Sequence, residues 1–502
     1  MLARSSLYRI HLLCRSLNQT ATQCKHSIHV SLNNTNHIID TTADNNSSPF
    51  SKLGITSQPL LNAIHQHYTE PSDIQKLAVP SIINNSLHNH IIGDITGQGK
   101  TNVYIWSLIQ LLSQHPLQYN TKYKHSPTIY IVQPSIELCI QCNNMIQQLR
   151  LGDVRAHLLY NAVPYPSYRT SQIPWTSSTI NICICTPIVL DALIDNNTEY
   201  QSQIHSNNIV PLLANTRYIV YDECDLLVSG HFMKHTKSIV KSVRRYNTHH
   251  TATQPITSIL VGASLVHTGH TTSPMKYIYN NFSNSIYCTT NKLHSINQNV
   301  QQHWIQVSST NQRVNTVYDI LNKLYSTNNN QTIINILIFC NTSLSVKQCY
   351  ESLQNFDVIQ NNNNNLELYM YHTGLSKHER VESLYKYNQS TNKNKILIST
   401  NILSRGIDLP YMKCMIQYDM CENTTDYIHR VGRVNRLHSI QYSDSNQTDN
   451  NHNYSLVYNL YDDSNQLIVN SIVNNNELTL DHTFSIKRSA RKQYRKQQKS
   501  VQ

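Results

Sequence analysis

The chain has 502 residues, of which 39% are hydrophobic and 14% charged, with a formal net charge of +11. That length accommodates two or three domains with cores of their own, and the composition excludes the low-hydrophobicity, high-charge balance of a disordered chain. Twelve irregularly spaced cysteines exclude the disulfide framework of a small secreted domain.

The charge sits at the two ends. No acid precedes Asp40, whereas Arg4, Arg9, Arg15 and Lys25 do; no acid follows Asp481, whereas seven Lys and Arg between Lys487 and Lys499 do. Together they account for the whole +11, so residues 40–481 are formally neutral. The opening "MLARSSLYRIHLLCRSLNQTATQ" sets Arg among Leu, Ile and Ser, the make-up of a mitochondrial transit peptide. Its apolar stretches are too short to span a membrane. Residues 1–47 are therefore expected to be disordered, and the expected address is the mitochondrial matrix, with nucleus or cytoplasm as the alternative. The tail, residues 481–502 with "KRSARKQYRKQQK", reads equally as a solvated charge run or as a phosphate-backbone contact.

From about Ser51, short β-rich runs alternate with helical patterns. "NHIIGDI", "TIYIVQP", "TINICICT", "TRYIVYDE" and "SILVGAS" predict parallel strands buried on both faces, with helices such as "TNVYIWSLIQLLSQ" between them. The alternation restarts after about residue 300 with "ILIFCNT", "LELYMYHT", "KILISTN", "MKCMIQYD" and "YSLVYNLY". Two successive α/β domains are predicted, 48–290 and 301–480, with a hinge at 291–300. Asn runs such as Asn361 to Asn365 read as loop expansions. Cys139 and Cys142 form a C-x-x-C in a helical run with no matching second pair, so they read as ordinary thiols and no Cys/His metal site is expected.

The stretch "DITGQGKT" follows a buried strand and precedes an amphipathic helix. Such a loop delivers backbone N–H groups and a helix N-terminus onto phosphates. Asp94, Ile95, Thr96, Gly97, Gln98 and Gly99 would form it, Lys100 would reach the β/γ-phosphates, and Thr101 would ligate Mg²⁺. Further on, "RYIVYDECDLL" ends a strand in Asp222-Glu223, which presents one carboxylate to Mg²⁺ and its neighbour to an attacking water. Only 11 glycines occur in the chain, and Gly93, Gly97, Gly99, Gly262, Gly374, Gly406 and Gly432 all fall in such segments. Where glycine is scarce, it tends to stand where no other residue fits.

These motifs resemble those of the DEAD-box ATP-dependent RNA helicases, and the N-terminus suggests a divergent mitochondrial member. "DITGQGKT" is similar to A-x-x-G-x-G-K-T, with Asp94 in the Ala position, and "DECD" (Asp222 to Asp225) to D-E-A-D. "EPSDIQ" looks like the Q motif, whose Gln75 would read adenine, and Phe50 lies at the spacing of an adenine-stacking aromatic. In the second half, "STNILSRGIDLP", "YIHRVGRVNR", "HTGLSKHER" and "ILIFCNT" fall in the family's order. The resemblance covers about residues 48–475. It implies two tandem RecA-like domains and ATP and Mg²⁺ as cofactors. It also implies arginine fingers from Arg430 and Arg433, a ribose or coupling contact from Asp408, and ATP-driven closure of one domain on the other. RNA would be held on its backbone by Thr186, Pro187, Gly374, Arg380 and Thr400. Mitochondrial RNA, with ribosomal RNA as one candidate, is the expected partner, without membrane insertion.

The departures fall on the RNA and coupling side. "PSIEL" has Ile136 in place of an arginine, "TPIV" replaces T-P-G-R, "LLYNAVPY" stands where a glycine pair is expected, "GAS" replaces S-A-T, and Asn435 replaces a glycine. Complete ATP residues beside thinned RNA contacts predict an RNA-stimulated ATPase with weak or restricted unwinding. The alternative is an RNA-binding assembly scaffold that clamps RNA without efficient turnover.

Overall fold

The computed structural model describes residues 28–30, 48–114, 126–159, 179–199, 210–250, 254–265, 274–282, 284–293, 296, 299–326, 333–355, 366–390, 393–404, 409, 412–434 and 454–473. The chain divides into two compact units, residues 1–93 with 99–291 and residues 94–98 with 292–502.

The first unit is an eight-stranded, all-parallel sheet. Its strands are β1 (Ile28–Val30), β2 (Asn89–Gly93), β3 (Ile129–Val132), β4 (Val154–Leu159), β5 (Ile180–Cys185), β6 (Tyr218–Tyr221), β7 (Thr257–Gly262) and β8 (Ser285–Thr289). Their spatial order is β1-β8-β2-β7-β6-β3-β5-β4. The runs "IYIV", "INICIC" and "YIVY" are buried at every position. Each face carries its own core. Ile180, Ile182 and Ile184 of β5 point into one, with Trp106 and Ile146, while Cys183 and Cys185 point into the other, with Leu190, Ile239 and Ile278. That two-sided cover is what parallel strands need, because their crossover helices lie on both faces. Helix Lys100–Gln114 is buried all round from Asn102 to Leu112, which matches its nearly continuous apolar sequence.

The second unit is a six-stranded parallel sheet. It holds β9 (Val300–Gln306), β10 (Asn335–Phe339), β11 (Leu366–Tyr371), β12 (Asn394–Ser399), β13 (Met412–Gln417) and β14 (Ser455–Tyr461), in the order β11-β12-β10-β13-β14-β9. Its helices start on side-chain caps: Thr342 accepts from the Ser345 N–H, Asn423 from the Asp426 N–H, and Ser376 with Glu379 forms a reciprocal capping box.

Every strand predicted from a two-sided apolar run is present. Four others were not foreseen. β4 and β9 are sheet-edge strands with mixed burial, so their sequences lack a continuous apolar run. β8, "SIYCT", carries an apolar run of only Ile286, Tyr287 and Cys288 between two polar residues. β1 corrects the expectation of a disordered 1–47: Ile28–Val30 extends the sheet by pairing in parallel with β8. An open strand edge offers unpaired N–H and C=O groups, and "IHV", with two β-branched residues, suits them. The rest of 1–47, the 481–502 tail, Tyr160, Asp408 and Asn435 lie outside the described residues. Among those described, no helix is long and apolar enough to cross a membrane.

Candidate nucleotide and RNA site

All sheet strands being parallel, their carboxyl ends share one edge, where open α/β sheets bind ligands. At that edge of the eight-stranded sheet the 94–99 loop leaves β2, Gly262 ends β7 with Ala263 and Ser264 following, Asp222 to Asp225 follow β6, Gln133 follows β3 and Thr186 follows β5. Because β2, β7 and β6 are neighbours, the loop and the carboxylates, about 120 residues apart in sequence, fall two strands apart.

The loop needs its glycines. Gly97 and Gly99 have φ of 83° and 74°, the left-handed region that L side chains rarely adopt. A Cβ on Gly99 would stand 2.5 Å from Gln75 Nε2. The Asp94 carboxylate is buried and accepts from the Ile95 N–H at 2.8 Å, which holds the first turn of the loop. Lys100 and Thr101 open the following helix and are half-buried. Gln75 is buried as well; its Oε1 accepts from the Ser72 N–H at 2.9 Å and its Nε2 donates to the Gly99 carbonyl at 3.2 Å. The Q-motif glutamine is thereby tied to the phosphate-type loop.

Asp222 sits in a cage of donors. Tyr104 OH donates to its Oδ2 at 3.0 Å, Gln133 Nε2 to the same oxygen at 3.1 Å, and the Glu223 N–H to Oδ1 at 3.0 Å. Burial, then the neighbouring Glu223 charge, push its carboxyl from 3.8 up to about 6. Glu223 adopts φ 50°, and its Oε2 is buried and accepts no hydrogen bond among the described residues. A non-glycine residue held in this region marks a constrained, often functional, site. Two adjacent buried carboxylates are what a divalent cation relieves, and the oxygen set of Thr101 and Asp222 suits Mg²⁺.

Tyr104 and Gln133 were not foreseen. The signal was present: a tyrosine one turn after Thr101 on a largely apolar helix, and a glutamine at a strand end, are polar groups that burial obliges to find partners. Asp225, next in the same turn, accepts from Ser264 Oγ. The shortened "GAS" motif therefore keeps its hydroxyl contact with the acidic turn.

Two expectations are corrected. Phe50 is fully buried, edge-to-face with Trp106 at 5.6 Å and with His65 at 5.4 Å, so it is a core residue with no ring face open to a base. Arg430, expected as a finger, is also fully buried. Its Nε donates to Asn401 Oδ1 at 2.7 Å, Nη1 to Gln417 Oε1 at 3.0 Å and the Asp419 carbonyl at 2.7 Å, and Nη2 to Asn341 Oδ1 at 2.6 Å. Its guanidinium lies over the Phe339 ring at 5.2 Å. The arginine pins helix Thr424–Val431 to the ends of β10, β12 and β13, and the spent donors leave little for a phosphate. Arg433 is 1% exposed, with Nε donating to the His429 carbonyl at 3.3 Å.

The RNA candidates lie at strand ends too. Thr186 and Pro187 start helix Pro187–Glu199. Gly374 follows β11, and its N–H donates to His372 Nδ1 at 3.1 Å; a Cβ there would meet that nitrogen at 3.0 Å. Thr400 follows the adjacent β12, with a buried Oγ1 that has no partner among the described residues. Arg380, on the helix after Gly374, donates from Nη1 to the Leu375 carbonyl at 3.1 Å. Cys139 and Cys142 are buried free thiols, with burial raising the pKa of both.

The DEAD/DEAH box helicase family profile matches residues 72–268, and the helicase conserved C-terminal domain profile matches 313–438. The chain is 27% identical over 406 residues to the pre-mRNA-processing ATP-dependent RNA helicase PRP5 of Vanderwaltozyma polyspora, covering 77% of this chain and 42% of that protein. It is 24% identical over 390 residues to the probable ATP-dependent RNA helicase MJ0669 of Methanocaldococcus jannaschii, covering 77% and 88%. The chain spans about half the length of the first curated relatives it matches, 42% and 57%. Among solved structures, Mss116p bound to ssRNA and AMP-PNP shares the fold, with TM-score 0.68, 17% identity, and 90% of this chain and 80% of that one covered.

Proposed function

The chain belongs to the DEAD/DEAH box helicase family, and from that premise we propose that it is an RNA helicase that hydrolyses ATP to ADP and phosphate and uses the turnover to remodel short RNA duplexes or RNA–protein complexes. The observation that carries this is the acidic turn: Asp222 caged by Tyr104 and Gln133, beside Glu223 with a buried, unpartnered Oε2. Asp222 and Thr101 would hold Mg²⁺, which supplies charge neutralisation at the phosphates. Lys100 and the N–H groups of the 94–99 loop bind and orient the triphosphate. Glu223 positions the attacking water and accepts its proton at the free Oε2. Arg433, 1% exposed, would have to be uncovered to serve as the γ-phosphate contact.

RNA is bound along its backbone by Thr186, Pro187, Gly374, Arg380 and Thr400, which makes binding tolerant of sequence. Ile136 and the "TPIV" turn reduce the polar contacts available, which favours weak or restricted strand separation. The Arg-rich, acid-free N-terminus supports a mitochondrial matrix address, with mitochondrial RNA, including ribosomal RNA, as substrate.

The test is ATP hydrolysis by the full chain with and without single-stranded RNA. RNA should stimulate it, and Lys100→Ala and Glu223→Gln should each lower kcat at least about 100-fold without lowering the melting temperature. A parent without RNA-stimulated hydrolysis, or two variants as active as the parent, would overturn the reading.

A further inference from the structure

Helix Met233–His249, "MKHTKSIVKSVRRYNTH", follows the acidic turn and contains no acidic residue. Thr236, Ile239, Val240, Val243 and Tyr246 are its buried positions. Lys234, Lys237, Lys241, Arg244 and Arg245 are all exposed. At about 100° per residue these five fall within an arc of about 100°, so they form one stripe, and 11 steps of about 1.5 Å make it about 16 Å long. Among the described residues none of the five forms a salt bridge. Lys237 lies over the Tyr277 ring at 5.7 Å and Arg244 donates to the Asn281 carbonyl, which leaves their charges uncompensated. Residues 40–481 are formally neutral, so five cations on one helix face are a local concentration and not a reflection of a basic body.

The stripe also has a position. Leu190, Leu193 and Ile194 of helix Pro187–Glu199 pack in the same core as Ile239, Val240 and Val243. His235, adjacent to Lys234, contacts Asp191 Oδ2 through Nδ1 at 2.6 Å, one turn into the helix that begins at Thr186-Pro187. The basic face thus starts beside the RNA-contacting turn and runs away from it.

We infer that this stripe is a second RNA surface, which takes the phosphate backbone of the strand or duplex flanking the segment held at Thr186-Pro187. A polyanion is the occupant because an extended row of unpaired cations answers repeated charge, whereas a single phosphate would engage one or two of them. Phosphate contacts position nucleic acid without reading its sequence. The inference rests on the RNA-helicase reading above and deepens it, since it makes the length of the RNA matter.

The experiment uses the full chain and a variant carrying Lys234→Gln, Lys241→Gln and Arg245→Gln, three residues whose side chains make no hydrogen bond, ion pair or ring contact among the described residues. Binding of a long single-stranded RNA and of an oligonucleotide of about six nucleotides is measured across a salt series, alongside ATP hydrolysis. Removing three phosphate contacts should flatten the log–log salt slope for the long RNA by about 2 to 3, from about 0.7–0.9 per contact, and weaken it at least tenfold at physiological salt. Hydrolysis stimulated by the short oligonucleotide should not change, and the matching arginine variant at both lysines should keep the parent slope. An unchanged long-RNA slope overturns the inference, including when the variant instead loses affinity for polyglutamate, which would assign the stripe to an acidic protein. A parent that binds neither RNA ends the helicase reading and this one together; a parent stimulated by the short RNA with an unaltered slope ends only this one.

Discussion

A Cβ added to Gly262 would stand 3.1 Å from the Sγ of Cys224 and 3.0 Å from Leu265 Cδ2. The two residues are the departures from S-A-T and D-E-A-D, and here they meet: the sulfur that enlarges one motif fills the space the missing side chain leaves in the other. Both are enclosed, with Cys224 fully buried. Gly262→Ser should therefore destabilise the first unit by about 1–3 kcal/mol through overpacking. The added Cys224→Ala should recover much of that loss. A double-mutant cycle from denaturant melts measures it, and strictly additive values would show that the two sites are not coupled.

Asp222 sets a pH limit. Its carboxyl titrates near 6 because burial and the Glu223 charge oppose ionisation. Below that pH it is protonated in the folded protein and cannot ligate a cation. Mg²⁺-dependent nucleotide affinity should fall about fivefold as pH drops from 6 to 5, and be nearly flat above 7. The stability sign is opposite. An acid whose folded pKa is raised makes the fold less stable as pH climbs from about 4 to about 6. Asp222→Asn should thus raise the melting temperature at pH 7.5, with the gain vanishing near pH 4, while it removes hydrolysis. A melting temperature lowered at pH 7.5 would contradict this.

Arg430 should behave as a structural residue. Arg430→Ala strands the acceptors of Asn401, Gln417, Asp419 and Asn341 and opens a cavity, at a cost of about 3–5 kcal/mol. Arg430→Lys should recover only a minor part, because an ammonium cannot reproduce the planar fork. Melts of the second unit within the whole chain read this directly; a normal melt combined with a large fall in kcat would restore the finger role.

Gly99→Ala combines a left-handed φ with the approach to Gln75 Nε2. The expected outcome is a loss of about 1–2 kcal/mol and weaker nucleotide binding. Adding Gln75→Ala should relieve the collision and leave the backbone strain. Isothermal titration with a nonhydrolysable ATP analogue would separate the two, and a Gly99→Ala variant that binds like the parent would count against the tight loop.

The sequence alone determined the architecture and the location of the chemistry. Parallel strands covered on both faces must be continuous apolar runs, so "IYIV", "INICIC" and "NILIF" announced themselves, and scarce glycines marked the loops that only glycine can make. What it could not carry was burial at a single residue and the identity of partners distant in the chain. Phe50 and Arg430 have the right type and spacing for ligand contacts, yet whether a ring face or a guanidinium is spent inside the core depends on Trp106, His65, Gln417 and Asn341 arriving from elsewhere. The same holds for Tyr104 and Gln133 around Asp222, and for the sulfur of Cys224 against Gly262. Spacing along a chain encodes local geometry, whereas hydrogen-bond satisfaction and close packing are settled only when separate elements are brought together.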